Sequence, residues 1–178
     1  MSSINEQQKE KNHEDLQDTK AIKKIKELAN KASTCFFCTS IGDNGQFKTR
    51  PMSVQEVDDD GNLWFLSADD SSVNAQVRID NKVQLLFQAS PHSGFLAVNG
   101  IAHTSKDKAR IKDLWEPLLK TWFTEGIDDP RITLIKVETT GGYYWDNKHG
   151  NAIAFAKMTV GAMLGKTMDD SIEGQLKP

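Results

Sequence analysis

The sequence predicts a mainly β domain with flanking helices (α+β), built on a six-stranded antiparallel barrel that opens at one place. Three observations lead there. Between residues 34 and 105, five short apolar runs are separated by turn residues at roughly 8–12-residue intervals, a spacing that suits a barrel better than a parallel sheet. A sixth run, Arg131 to Thr139, alternates through Ile132, Leu134, Ile135 and Val137 and completes the sheet. Pro51 lies inside the second run, where it cannot donate to a ladder, so it marks an edge or the point where the sheet opens.

The chain has 178 residues, 38% of them hydrophobic, which is enough for one core. Its formal charge of -3 supplies no broad basic field, which argues against nucleic acid as a partner. No apolar run approaches the roughly 20 residues that span a bilayer, and Met1 to Lys20 is too polar for a signal-peptide core. The expectation is a cytoplasmic protein with no membrane partner.

In chain order, residues 1–17 are polar and are expected to form a disordered tail. Residues 18–165 form the domain. It opens with an amphipathic helix carrying Ile22, Ile25, Leu28, Ala29 and Ala32 on one face, with Asp18 or Thr19 as its cap. Strand one covers Thr34 to Ile41, and Gly42 to Gly45 supplies a tight hairpin. Strand two runs from Gln46 to Val57, Asp58 to Gly61 turns the chain, and strand three covers Asn62 to Ala68. Asp69 to Ser72 caps a helix over Val73 to Ile79. Strand four, Val83 to Ala89, and strand five, Phe95 to Ser105, follow. Asp107 to Phe123 has a helical period broken at Pro117, which predicts a kink or two short helices. Its aromatic residues read as core, the alternative being a stacking platform. After strand six come Gly141, Gly142 and the aromatic group Tyr143, Tyr144 and Trp145, then an apolar stretch, Asn151 to Leu164, read as a helix lying along the body or against a partner subunit. Residues 166–178 read as a frayed tail.

Several motifs that invite chemistry have a plainer reading. Cys35 and Cys38 form a Cys-x-x-Cys, but within a β-branched and aromatic strand, where residues three apart point to opposite faces; they read as buried structural thiols. Asp58 to Gly61 lacks the spaced ligands of a calcium loop and reads as a turn. His13, His92, His103 and His149 have no metal-ligand spacing. No nucleophile stands with a base, so any catalysis requires a bound cofactor. Arg50 presents a rigid fork of donors that matches a phosphate, and Ser67, Ser71, Ser72 and Asn74 gather hydroxyl and amide donors around a helix start. Their neutral alternatives are a surface ion pair for Arg50 and ordinary capping for the others.

The segments Arg50 to Val54, Leu63 to Ser67, Asp70 to Ser72, Asp80 to Val83, Phe95 to Gly100 and Tyr144 to Asp146 fall in the order and spacing of a known family. This sequence resembles the pyridoxamine 5'-phosphate oxidase-related split barrels that bind flavin mononucleotide (FMN), in their general stress protein 26 branch. The resemblance implies a homodimer with FMN at the subunit interface. It places Arg50, Pro51, Met52, Ser53, Val54, Leu66, Ser67 and Ser72 around the flavin ribityl and phosphate, and Phe95 and Trp145 near the flavin, in many members from the other subunit; Asn74, from the donor set at the helix start, is expected to bind the cofactor with them. It further implies a flavin-dependent oxidoreductase meeting NAD(P)H or a small electrophile; the alternatives are a flavin-binding module without turnover and a structural dimer that has lost its cofactor. The chain departs from the pattern at Val73, where the family has a lysine, and in its C-terminus, which lacks the basic residues that hold the substrate phosphate in the oxidase proper.

Overall fold

The computed structural model describes residues 11–39, 47–164 and 170–178, and no side chains at 151 or 161–164. The predicted hairpin at Gly42 to Gly45 lies outside the described residues. Nine strands form one sheet: β1 (Leu16–Gln17), β2 (Thr34–Thr39), β3 (Lys48–Ser53), β4 (Glu56–Val57), β5 (Leu63–Ala68), β6 (Lys82–Gln88), β7 (Phe95–Ser105), β8 (Ile132–Asn147) and β9 (Ser171–Lys177). Four helices accompany them: α1 (Asp18–Ala32), α2 (Ser72–Ile79), α3 (Lys108–Asp113) and α4 (Asn151–Leu164). The mainly β class with flanking helices stands, but the described residues form nine strands rather than six.

The extra strands have identifiable origins. The expected second strand is divided into β3 and β4 at Val54 and Gln55. Val54 N–H donates to Ser33 O at 2.9 Å, while Gln55 N–H donates to Trp64 O at 2.8 Å, so adjacent residues bond to opposite neighbours. β3 pairs only β2, and β4 pairs only β5. Pro51 sits opposite Phe36 in β3, an end strand, where a missing N–H is tolerated. The other additions come from the expected tails. β9 pairs antiparallel with the second half of β8 and parallel with β1, and Leu176 is buried. Ahead of β1, Glu14 N–H donates to Glu173 O at 2.8 Å, and Tyr144 Oη donates to Glu14 O at 2.9 Å. These segments are held mainly by backbone hydrogen bonds, which a low apolar content does not reveal.

β8 is also longer than expected, running on past Gly141 and Gly142 to Asn147. Gly142 is required by close approach: a Cβ there would stand 2.5 Å from Ala97 O across the β7–β8 ladder. β8 pairs β7 along its length, β5 with its first half and β9 with its second. The break at Pro117 is as the sequence predicts, with α3 followed by a 3-10 turn at Pro117–Thr121 and a second at Gly126–Asp128.

The main core packs Ala21, Ile25, Leu28 and Ala29 of α1 against Phe37, Phe65, Leu85, Val98 and Val137. Phe37 and Phe65 meet edge-on at 5.2 Å. A smaller cluster, Ile111, Leu114, Phe123, Ile132 and Leu134, lies under the 3-10 segment. Both cysteines are buried free thiols. Helix α1 begins after Gln17 without a side-chain cap, so neither Asp18 nor Thr19 takes that position, and it ends at Ser33 in the left-handed conformation (φ 58°). No described helix is long and apolar enough to cross a membrane.

Two stability predictions follow from the C-terminal clasp. A Cβ on Gly174 would overlap Glu14 O, so Gly174→Ala is expected to cost about 1–3 kcal/mol in urea denaturation; unchanged stability would mean that the strap does not cross there. Asp170 is buried and accepts from Lys157 Nζ at 2.8 Å and His149 Nδ1 at 2.7 Å. Burial pushes its carboxyl up, but these bonds outweigh that and hold it down at about 2. A depressed carboxyl stabilises above its unfolded value of 3.8 and loses that contribution as pH falls through about 2. The stability gap between wild type and Asp170→Asn should therefore be about 2 kcal/mol at pH 6 and shrink toward zero between pH 4 and 2.

Candidate functional site

The division of β3 from β4 creates a cleft. β5 is paired on its second edge only at Leu63 and Trp64, and β3 has a neighbour on one side only, so among the described residues two open strand edges flank one groove. Pro51, Met52, Ser53 and Gln55 form one wall, and Leu66, Ser67 and Ala68 the other. Leu119 of the 3-10 turn, with Trp122 and Phe123 that follow it, completes a cavity of about 350 Å³. None of these lining side chains is charged. Small-molecule sites of this kind, apolar with a few polar groups, run from roughly 300 to 1,000 Å³.

Ser67 links the groove to the start of α2. Its Oγ lies 2.9 Å from Ser71 Oγ, and Ser71 is the N-cap, accepting from Asn74 N–H at 3.3 Å. Asn74 Nδ2 donates to Ala68 O at 2.7 Å, Thr133 Oγ1 at 3.0 Å and Ser71 Oγ at 3.1 Å, and Thr133 Oγ1 donates to Ser67 O at 2.9 Å. Asn74 is wholly buried, so it offers no surface to a ligand; the sequence expectation of direct contact is replaced by a role in fixing the turn. Its Oδ1 is the one buried side-chain N or O without a partner among the described residues. Ser72, by contrast, is exposed in the first turn of α2. Val73 is buried in the main core, so a lysine at this position would put its ammonium into apolar surroundings.

Arg50 is half-buried at the other side of α2. Its Nη1 and Nη2 each donate to Thr39 Oγ1 at 3.1 Å, and Nη2 donates to Gln76 Oε1 at 2.5 Å. Thr39 itself donates to Gln76 Oε1 at 2.6 Å. The chain has four arginines. Arg78 pairs with Asp69, Arg110 with Glu56 and Arg131 with Asp129. Arg50 alone has no carboxylate partner among the described residues, and the surface ion pair considered from sequence does not form. Burial lowers its pKa, opposed by the neighbouring Cys38, yet a guanidinium remains charged at neutral pH. Among the described residues its charge is steadied by neutral oxygens and left uncancelled.

The predicted residues thus form two groups. Pro51, Met52, Ser53, Leu66 and Ser67 line the groove, with Arg50 and Ser72 on the elements beside it. Val54 packs toward the core. Phe95 and Trp145 are cross-strand partners, both part-exposed, on another surface. Phe95, Phe36, Cys35 and Leu86 line a hollow of about 390 Å³ there, and Pro51 borders both cavities. Sequence reasoning did not pick out Thr39, Gln76, Leu119, Trp122 or Phe123. Within the helical run, Trp115 and Phe123 do pack in the smaller cluster, 6.2 Å apart, but Trp122 is 63% exposed.

Residues 20–169 match the family described as pyridoxamine 5'-phosphate oxidase like. No curated protein matches the sequence. Among solved structures, a protein assigned as general stress protein 26 from Jannaschia sp. CCS1 is similar, at 18% identity and TM-score 0.70 over 89% of this chain and 95% of that one. A protein related to general stress protein 26 from Clostridium acetobutylicum shares 22% identity at TM-score 0.61, covering 72% and 90%. The general stress FMN/FAD binding protein of Xanthomonas citri shares 24% at TM-score 0.58, covering 68% and 84%. At these identities the likenesses establish the fold.

Asn74→Ala would leave Ala68 O and Thr133 without their donor. It is expected to lower stability by about 1–3 kcal/mol in denaturant titrations; a neutral result would show that the amide does not hold the turn.

Proposed function

The chain belongs to the pyridoxamine 5'-phosphate oxidase-like family, and on that premise we propose that it is a general-stress-type flavoprotein that binds FMN in the groove between β3 and β5. The single observation that carries this reading is the uncancelled charge of Arg50 beside an uncharged cavity. A ligand with a planar neutral ring and an anionic end suits that combination. Arg50, Ser67 and Ser72 would hold the phosphate, and Pro51, Met52, Ser53, Val54 and Leu66 the ribityl chain and ring. The open edges of β3 and β5 offer backbone donors and acceptors that a heteroatom-rich ring can satisfy. The family architecture on this reading is a six-stranded split barrel in which β3 and β4 count as one bent strand and β1 and β9 are additions at its edge.

A bound flavin supplies hydride chemistry with a nicotinamide or a small electrophile. The chain's own contribution is to orient the ring, exclude water and neutralise the phosphate. No acid or base lines the groove, and this favours a second reading, a flavin-binding module without turnover. Oxidation of pyridoxamine 5'-phosphate itself is disfavoured, because the C-terminus lacks the basic residues that the resemblance implies for holding the substrate phosphate and offers little beyond His149, whose Nδ1 is bonded to Asp170. Homodimerisation is supported by exposed apolar side chains at Phe36, Phe95 and Trp145 and along α4 at Phe155 and Met158. The localisation consistent with this reading is cytoplasmic.

FMN titration followed by flavin fluorescence tests the proposal. Arg50→Ala should weaken FMN by about ten- to a hundredfold, the equivalent of roughly 1.5–3 kcal/mol; an unchanged dissociation constant removes Arg50 from the site. Bleaching of the yellow complex by NADH or NADPH would mark an oxidoreductase, and persistent colour a binding module.

A further inference from the structure

We propose that Trp122 forms the stacking wall of the groove and holds the planar ring of the ligand against β3. The proposal rests on the flavin reading above and adds a residue to it. Leu119 in the 3-10 turn and Phe123 just after it, on either side of Trp122, pack into the smaller core, and Phe123 is 4% exposed. Trp122 and Phe123 N–H both donate to Leu119 O at 3.0 Å, so the backbone carrying the indole is fixed. Trp122 itself belongs to neither core cluster, and its indole N–H has no partner among the described residues. It nevertheless lines the groove together with Pro51, Met52 and Ser53.

A rigid support that leaves so large an apolar face at the groove gives a ligand a surface to cover, and covering it is favourable. The ligand's chemistry follows from the rest of the lining. With no charged side chain in the cavity, the part beside Trp122 must be neutral, and its indole face favours a flat π system. The charged end then belongs with Arg50. Trp122 and Arg50 therefore read different parts of one molecule.

Binding of FMN and of riboflavin, which lacks the phosphate, separates the two. Trp122→Ala should weaken both by the same factor, roughly tenfold. Trp122→Phe should restore most of the loss, and Trp122→Leu, which keeps apolar bulk without an aromatic face, should not. Arg50→Ala should weaken FMN and leave riboflavin unchanged. Wild-type affinity for both flavins in Trp122→Ala would overturn the stacking role while leaving the flavin reading intact, as would a loss confined to FMN or full rescue by leucine. If wild-type protein bound neither flavin, both the stacking role and the flavin reading would fall. Unchanged circular dichroism and melting temperature in the variants would establish that a loss is local.

Discussion

The segment from Lys48 to Val57 cannot stay paired with both of its neighbours, and the site depends on that constraint. It starts as the partner of β2 and ends as the partner of β5, with the change made between Val54 and Gln55. Before the change, β3 and β5 separate, and two strand edges face a cavity. An open edge is usually a hazard, because unpaired backbone groups invite another strand. Here the edges are flanked by the 3-10 segment, and the space between them is wide enough for a small molecule.

Electrostatics then selects the ligand. Elsewhere each arginine is matched by a carboxylate. At Arg50 the same charge meets a threonine hydroxyl and a glutamine carbonyl oxygen, which fix its direction without neutralising it. Holding a part-buried cation in this way costs solvation energy, and an incoming anion recovers it. The buried network of Ser67, Ser71, Asn74 and Thr133 contributes rigidity, keeping the start of α2 and the end of β5 in a fixed relation. Val73, where the resemblance implies a lysine, is packed in the core, away from the surface that Ser72 presents.

Much of the fold was legible because it is written in side-chain periodicity. The apolar face of α1, the alternation in β5 and β6 and the break at Pro117 all appear in the structure. What could not be read is held by the backbone. Residues 12–17 and β9 carry few apolar side chains and are secured by ladder bonds to each other and to β8. The site was legible in part. Arg50 and the β3 residues were found, but Asn74 was assigned to the ligand although it shares the inner face of α2 with Val77, three residues on. Trp122 was read as core because its spacing continues the pattern of Leu118 and Leu119; the loss of the α-helix after Asp113 puts it on the surface instead.

The most direct measurement is a crystal structure of the protein grown with FMN. The account predicts electron density for the ring between β3, β5 and Trp122, with the phosphate against Arg50 and the first turn of α2. Density for FMN elsewhere on the protein, with Arg50 turned to bulk solvent or the groove filled by side chains, would contradict it.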